Sequence, residues 1–443
     1  MFDDLTLDDL AIRASSHTAF FGIYLASHAI PDALCMAHAS VGCKVKAQPH
    51  LVGHDGIKSS HRRMRYSQLI DEDLALGSTA QLEEEIAAWQ ARQEAGLVLV
   101  PCSTPVTLQE QPLAAALRRV EAKTGATVLL VPGRNQDADL YDGLARTMAA
   151  LVDRLPWDGA APRAGEVSVV GYPFDRYEQD NLGNVAELRR LLGRLGLAAK
   201  AVFFSGEPWS QLREAAHARH HVLLPYARGV GGVLEARGQR PIAAGLPMSI
   251  TGTAAFLRAV GAGAGIATAR VEAAVAQETA RLKPLAELAR RRLGGRPFGV
   301  FADAPRAAGI VATLAEVEMR PRFIAVLHRS PGGRAAVEAA LRDHHGLTLD
   351  PGVAWLEDPT PAQARGVPAA DCGLIVGTSV ERDALLTTGV PYVELGFPSE
   401  LRHFLFPAPY LGFSGVARFL EQAMHAVERP ARPEQEDPLA EEP

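Results

Sequence analysis

Three cysteines in the first quarter of the chain are the residues best suited to metal chemistry. The segment DALCMAHASVGC (32–43) contains Cys35 and Cys43, and the run LVLVPC ends at Cys102. Cys43 and Cys102 each stand where a predicted strand ends. If these strands are neighbours in one sheet, the two thiols can contact the same bound group. Thiolates are the usual ligands of iron–sulfur clusters. Because the spacing lacks a C-x-x-C pair, a cluster site and ordinary buried cysteines both remain open.

Histidines form a second set of candidates. His217 and His221 are four residues apart, a spacing that permits metal binding on a helix, but capping or a solvated surface position is the favoured role. His403 follows a predicted strand tip in the last third of the chain. It is therefore a candidate for contact with a substrate or an interface.

The elements that must position these residues alternate between strands and helices. Short apolar runs separated by amphipathic helices are typical of parallel sheets covered on both faces. The helix at 184–197, for example, carries Val185, Leu188 and Leu192 on one stripe. Nine runs predict strands, at 96–101, 126–132, 166–173, 199–206, 220–226, 296–303, 322–328, 372–379 and 390–398. The pattern predicts an α/β fold with mostly parallel sheets.

Breaks in this alternation predict three domains and a tail. A Pro- and Gly-rich stretch at 155–166 forms the first break, and a long charged helix at 271–295 leads to the second. The tail is rich in Pro and Glu, cannot bury a core and is predicted to be disordered. The predicted boundaries are 1–160, 165–290, 295–427 and, for the tail, 428–443.

Composition excludes several classes of protein. The 443 residues are 47% hydrophobic and carry a net charge of −6, which provides no basic surface for nucleic acid. No run of about 18 uncharged apolar residues is present, so no membrane span is expected. The acidic N-terminus lacks the pattern of a signal peptide, and four cysteines do not make a disulfide scaffold. A cytoplasmic location is predicted.

The order of motifs resembles the nitrogenase component 1 family: MoFe-protein subunits, their cofactor-assembly scaffolds, and dark-operative protochlorophyllide and chlorophyllide reductase subunits. The segment GIYLASHAIPDALCMAHASVGC has His38 and Cys43 in the family's positions, and LVLVPCSTP has Cys102. VSVVGYPFDRYEQDNLGN is similar to the opening of the family's second domain, and LPMSITGTAAFLRAV to its close. VGTSVERDALLTTGVPYVELGFP is similar to the ending of the third. The ordered set covers residues 17–425.

The resemblance implies three Rossmann-like domains and an oxidoreductase. Two such subunits, like or unlike, would share an Fe–S cluster at their interface, usually in a heterotetramer. An ATP-hydrolysing homodimeric [4Fe-4S] reductase would dock and deliver electrons for reduction of a small-molecule substrate. Cys43 and Cys102 match the second and third cluster cysteines of the family and are the expected metal ligands. His38 is expected at the same cofactor site.

The sequence departs from the family at the first cluster cysteine. That place holds Thr18 beside His17, and His17 can replace the missing thiolate because histidine ligates iron in some Fe–S sites. Cys35, eight residues before Cys43, is either a core residue or a further ligand, and Cys372 is expected to be structural. The incomplete set favours a [4Fe-4S] or partial P-cluster-like site shared with a partner.

The cysteine content indicates the type of subunit, and two alternative functions remain open. No cysteine stands between 103 and 371, so the ligand for a FeMo-cofactor-like cluster is missing. The chain is therefore expected to be a β-type subunit or one of a type that reduces tetrapyrroles or carbon–sulfur bonds. A non-catalytic cofactor-assembly scaffold is the first alternative. A metal-free three-domain α/β ligand-binding protein is the second.

Overall fold

Helices and strands alternate along the whole of the described chain. The computed structural model describes residues 18–40, 63–92, 95–109, 112–132, 138–176, 178–329, 332–400 and 402–428. The strands are β1 (Ala33–Ala37), β2 (Met64–Tyr66), β3 (Leu97–Cys102), β4 (Thr127–Pro132), β5 (Arg163–Val170), β6 (Ala198–Val202), β7 (Ala218–Leu223), β8 (Pro241–Ala243), β9 (Pro297–Ala302), β10 (Arg320–Val326), β11 (Ala354–Glu357), β12 (Leu374–Gly377) and β13 (Tyr392–Glu394).

The α-helices lie between these strands and at the two ends of the described chain. They are α1 (Ala19–His28), α2 (Asp71–Leu76), α3 (Thr79–Gln90), α4 (Thr104–Leu108), α5 (Leu113–Thr124), α6 (Leu140–Asp153), α7 (Gln179–Arg194), α8 (Trp209–Leu212), α9 (Val230–Ala236), α10 (Ile250–Gly263), α11 (Thr268–Leu293), α12 (Ala304–Ala315), α13 (Arg334–Ala340), α14 (Pro361–Arg365), α15 (Ser379–Leu385) and α16 (Gly412–Glu428). Short turns of other helix types are Arg213–His217, Leu341–His345, Ala369–Asp371 and Leu386–Thr388.

The strands form three sheets in which every neighbouring pair is parallel. Their orders are β2-β1-β3-β4, β6-β5-β7-β8 and β11-β10-β9-β12-β13. This architecture confirms the predicted α/β class with three Rossmann-like units, each with helices packed against a parallel sheet. The residue boundaries of the domains stay a prediction. The predicted disordered tail lies outside the described residues beyond Glu428, where α16 ends.

All nine predicted strands are present, and the prediction overlooked short ones. β2, β8 and β11 have three or four residues, and each lies at the edge of its sheet. These three strands are short and partly exposed, so they lack the continuous apolar run that marks a buried strand. The predicted strand at 199–206 ends early, at Val202, because the chain turns at Phe204, which has a φ of 62°.

The strand predicted to end at Cys43 is also shorter than expected. β1 ends at Ala37, followed by a single bridge between His38 and Cys102. The ladder stops because the Ser67 hydroxyl, rather than a backbone carbonyl, accepts the hydrogen bond from the Ala39 N–H at 3.3 Å. β1 therefore ends before the position that the sequence predicted, and Cys43 itself lies outside the described residues.

The two described cysteines of the first sheet lie on opposite faces of it. Leu34 and Met36 of β1 belong to the same apolar cluster as Cys102, whereas Cys35 lies in the main core cluster on the other side. Side chains alternate across a strand, so this assignment follows from the position of each residue along its strand. Cys35 and Cys102 therefore cannot bind one metal centre.

The main core runs through all three units. α1 is buried along its whole length and crosses α6 so closely that glycine is required at the contact. A Cβ at Gly22 would lie 2.0 Å from the Leu140 carbonyl oxygen, and one at Gly143 would lie 2.0 Å from that of Ala19. This crossing ties α1 to α6, the helix that leads into the second sheet. Within the described residues, no helix combines the length and apolarity needed to cross a bilayer.

Candidate functional site

Polar side chains gather at two places beyond the carboxyl ends of parallel strands, where α/β proteins bind ligands. The first, here called the thiol rim, lies at the ends of β1, β2 and β3. The second, here called the arginine junction, lies where the three units meet. The thiol rim comprises His38, Ser67, Ser78 and Cys102. The arginine junction comprises Tyr141, Asp175, Tyr226, Asp303, Arg306 and Tyr410.

At the thiol rim, His38 is fully buried between two serines. Its Nδ1 lies 2.9 Å from the Ser67 Oγ and its Nε2 lies 2.8 Å from the Ser78 Oγ. Burial lowers the pKa of His38 to about 4, so the imidazole is neutral at physiological pH. A neutral imidazole with both nitrogens engaged has no lone pair left for a metal ion.

Cys102 is buried beside His38. It is 2% exposed and packs in the apolar cluster that includes Met36 and Val106. Burial raises the pKa of the Cys102 thiol to about 12, so the thiol keeps its proton at neutral pH. A metal ion at this site would have to displace that proton, because the thiolate is the ligand.

The described residues supply only part of a metal site. Cys43 and His17 lie outside the described residues. Cys35 is 1% exposed on the opposite face of the sheet, and burial raises the pKa of its thiol to about 12. Within the described ranges, no group of three metal-ligating side chains occurs. A single thiol fits one corner of a cluster shared with other donors, but it does not fit a complete ligand set.

Exposed apolar side chains follow the strand ends at the same edge of the first sheet. Ile70, at the start of α2, is 59% exposed, and Leu76, at its end, is 79% exposed. Leu108, at the end of α4, is 75% exposed. α2 follows β2 and α4 follows β3. This edge therefore presents large apolar side chains to solvent, as protein contact surfaces do.

At the arginine junction, one guanidinium joins residues from all three units. Arg306 has no exposed surface, and its NH1 donates to the Asp303 carboxylate at 2.7 Å and to the Tyr141 hydroxyl at 3.0 Å. Its NH2 donates to the Asp175 carboxylate at 2.5 Å. Tyr226 donates to Asp303, as Tyr141 does at 2.9 Å. The network thus pairs its buried guanidinium with two carboxylates and gives the Asp303 carboxylate two phenol donors.

The local structure explains how these residues reach one point. Asp303 directly follows β9 and caps α12, where it accepts from the Arg306 N–H at 3.3 Å. Asp175 follows β5, and Tyr226 follows β7. Burial raises the pKa of Asp175 to about 6, although Arg306 opposes this shift. Burial also raises the pKa of Tyr141 well above its usual range, so this phenol stays protonated and can donate.

The histidine candidates do not form a metal site. His217 ends a short 3-10 turn, whereas His221 lies within β7, so the two do not share a helix face. His221 is 1% exposed rather than on the surface, and its Nδ1 lies 2.8 Å from the Ser168 Oγ. The His403 Nδ1 lies 2.7 Å from the Glu178 carboxylate and so links the second and third units.

Sequence reasoning missed the arginine junction entirely. A signal was available, because FADAPR and GYPFDR each place an aspartate and an arginine just after a predicted buried strand. Such charged residues at strand ends predict a site in α/β proteins. The pairing of Arg306 with Asp175 could not be inferred, because the two residues follow strands of different sheets and are 131 positions apart in the sequence.

Comparisons with known proteins agree with this architecture. A family model described as nitrogenase component 1 type oxidoreductase matches residues 18–428. A light-independent protochlorophyllide reductase subunit of Heliobacterium modesticaldum is 26% identical over 79% of this chain and 66% of that protein. The nitrogenase iron-iron protein beta chain of Rhodobacter capsulatus is 24% identical over 55% of this chain and 56% of that protein. The chain thus spans less than two thirds of each relative's length.

A solved structure shares the fold. The structure titled "Nitrogenase Cp1 at pH 6.5" superposes with a TM-score of 0.78 over 94% of this chain and 92% of that chain, at 15% identity. The family model covers nearly all of the residues from α1 to α16. The chain therefore belongs to the nitrogenase component 1 type oxidoreductase family.

Proposed function

We propose that this chain is a β-type subunit of a nitrogenase-like, ATP-dependent reductase complex. It binds an Fe–S cluster, [4Fe-4S] or P-cluster-like, shared with a homologous partner subunit, and accepts electrons from a [4Fe-4S] reductase homodimer. The observation that carries the proposal is Cys102 at the carboxyl end of β3 in a chain that matches the family from 18 to 428. Cys43 and Cys102 are the proposed ligands, and His17 is a proposed further donor.

Support for a partner subunit comes from the surface beside Cys102. Ile70, Leu76 and Leu108 are all more than half exposed at this edge. Exposed apolar side chains around an incomplete ligand set are what a shared site requires, because the partner covers the surface and supplies the missing donors. The cluster would then lie in the interface, away from water.

Support for a β-type subunit comes from the arginine junction. Arg306, Asp303 and Asp175 fill the place where the three units meet, and one guanidinium pairs with both carboxylates there. Among the described residues, the junction therefore offers no thiol to hold a large metallocluster. We propose that the complex reduces a small molecule, with an unsaturated tetrapyrrole as the first candidate, since a relative is named as a protochlorophyllide reductase subunit. A cytoplasmic location stays a prediction.

A metal-free ligand-binding protein is the second candidate. It is favoured by the burial of Cys102 among apolar side chains, which keeps the thiol protonated. A cofactor-assembly scaffold has no observation of its own in its favour. It would hold a cluster without reducing a substrate.

Anaerobic purification of the chain with its partner subunit tests the proposal. We expect bound iron by elemental analysis and an EPR signal after reduction. Cys102→Ala and Cys43→Ala should abolish both, whereas Cys372→Ala should retain them, because Cys372 lies in the third unit and contacts the Pro368 carbonyl at 3.7 Å. An iron-free complex, or full iron in the Cys102 variant, would favour the metal-free candidate. Iron without substrate reduction in the reconstituted complex would favour the scaffold.

A further inference from the structure

His38 holds the segment that contains Cys102 through its backbone. The His38 N–H donates to the Pro101 carbonyl at 2.8 Å, and the Ser103 N–H donates to the His38 carbonyl at 3.1 Å. These two bonds bracket Cys102, which forms the single bridge partner of His38. A displacement of His38 would therefore release both backbone groups that flank the thiol.

Both ring nitrogens of the imidazole have a serine hydroxyl as partner. The Nδ1 lies 2.9 Å from the Ser67 Oγ, and the Nε2 lies 2.8 Å from the Ser78 Oγ. In either neutral tautomer one ring nitrogen donates to a serine and the other accepts from one. Ser67 also accepts from the Ala39 N–H at 3.3 Å and so joins the imidazole to the backbone that follows β1. Both ring nitrogens are thus used inside the protein.

The imidazole also joins three elements at one edge of the sheet. His38 follows β1, Ser67 follows β2, and Ser78 stands directly before α3. Bulk water does not solvate either serine hydroxyl, because Ser67 and Ser78 are both 2% exposed. Loss of the imidazole would leave two buried hydroxyls without this partner, which is unfavourable.

We propose that His38 is a positioning residue that holds the Cys102 thiol at the carboxyl end of β3 and does not bind metal itself. The part of this inference that concerns metal rests on the proposed function. The part that concerns the position of the thiol does not, and the two can be tested separately.

The position of the thiol is tested in the iron-free full-length chain. The rate of alkylation of Cys102 by iodoacetamide, followed by peptide mass spectrometry, should rise about tenfold in His38→Ala, because the loss of buried hydrogen bonds lowers the free energy of local opening. Ser78→Ala, which keeps the imidazole, should show a smaller rise. Ser78→Ala also serves where His38→Ala does not fold. Cys372 in the same chain is the internal control and should react at an unchanged rate.

The same measurement can overturn the inference. If the folded variants alkylate Cys102 at the wild-type rate, His38 and Ser78 do not position it. His38→Gln should restore much of the protection, because its amide can bond a serine hydroxyl as the Nε2 does. Equal reactivity in His38→Gln and His38→Ala would point to packing rather than hydrogen bonding and would also contradict the proposal.

The role toward metal is tested in the complex purified with its partner. His38→Ala should retain iron, with a changed EPR line shape and reduction potential, and the wild type should show no strong ¹⁴N hyperfine coupling from an iron-bound imidazole. A strong coupling that disappears in His38→Ala would make His38 a ligand and overturn the inference. A wild type without iron would contradict the proposed function, and the alkylation rates would still decide whether His38 positions Cys102.

Discussion

The thiol rim and the arginine junction both lie at the carboxyl ends of parallel strands, yet they differ in how far the chain completes them. At the junction, Arg306 has no exposed surface and meets two carboxylates and three phenols from all three units. At the rim, one protonated thiol lies beside a neutral histidine, and large apolar side chains nearby face solvent. The ion pairs of the junction all lie within one chain, whereas the described residues of the rim supply only one thiol of a metal site.

This difference indicates where function requires another molecule. Buried charges are tolerated when they are paired and hydrogen-bonded, and the junction pairs Arg306 with two carboxylates of its own chain. A buried thiol needs no partner to be stable, so its burial alone does not reveal a role. The exposed apolar edge around the rim supplies the additional indication, because such surfaces in stable proteins mark contacts.

The largest effect is expected from Arg306→Met. Removal of the guanidinium leaves the carboxylates of Asp175 and Asp303 buried beside each other without their cation. The free energy of unfolding should fall by about 3–5 kcal/mol, the usual result of breaking a buried ion pair. Urea unfolding of the full chain measures this loss. Arg258→Met is the control, since Arg258 pairs with Glu272 on the surface and should cost no more than about 1 kcal/mol. Equal losses would show that the buried ion pairs of the junction stabilise the fold no more than a surface ion pair does.

A smaller loss is expected from Tyr226→Phe at the junction. This change removes one donor to the Asp303 carboxylate and should lower the free energy of unfolding by about 1.5–3 kcal/mol, the range for hydrogen bonds to charged groups. Tyr392→Phe is the matched control, because its hydroxyl donates to the neutral Thr378 carbonyl at 2.8 Å. Its loss should be about 0.5–1.5 kcal/mol. The reverse order in urea unfolding would contradict this ranking of the two hydrogen bonds.

At the rim, Leu108→Glu should affect association rather than folding. The side chain is 75% exposed, so the free energy of unfolding should change by no more than about 0.5 kcal/mol. Affinity for the partner subunit, measured by surface plasmon resonance, should fall about tenfold or more if this edge is the contact. Leu405→Glu, at an 84% exposed position in the third unit, is the control and should bind normally. Unchanged affinity in Leu108→Glu would place the partner elsewhere.

A further effect concerns the pH dependence of stability at the junction. Burial raises the pKa of Asp175 to about 6, whereas an unfolded aspartate titrates near ~3.9. Between these values the folded protein holds a proton that the unfolded chain has lost, so this group makes stability fall as pH rises from about 4 to about 6. Asp175→Asn should flatten that part of the curve in urea unfolding at a series of pH values. A slope identical to that of the wild type would show that Asp175 is ionised throughout.

The sequence predicted the strands of the three sheets better than it predicted the residues of the functional site. Nine buried strands were found because parallel strands covered on both faces are almost wholly apolar. β2, β8 and β11 were missed because they are short and partly exposed, so they lack that signal. The end of β1 was placed six residues too late, since the hydroxyl that interrupts its ladder comes from Ser67, far along the chain.

Local patterns in the sequence determined the α/β class, the parallel sheets and the family, because these depend on hydrophobic periodicity and on motifs found along one stretch of chain. Tertiary structure alone decided which residues meet. It placed Cys35 and Cys102 on opposite faces of one sheet, enclosed His38 between two serines, and brought Arg306 to Asp175 from another unit. Such contacts depend on the direction in which each side chain leaves its strand and on the packing of the sheets, and neither is recorded in the spacing of residues.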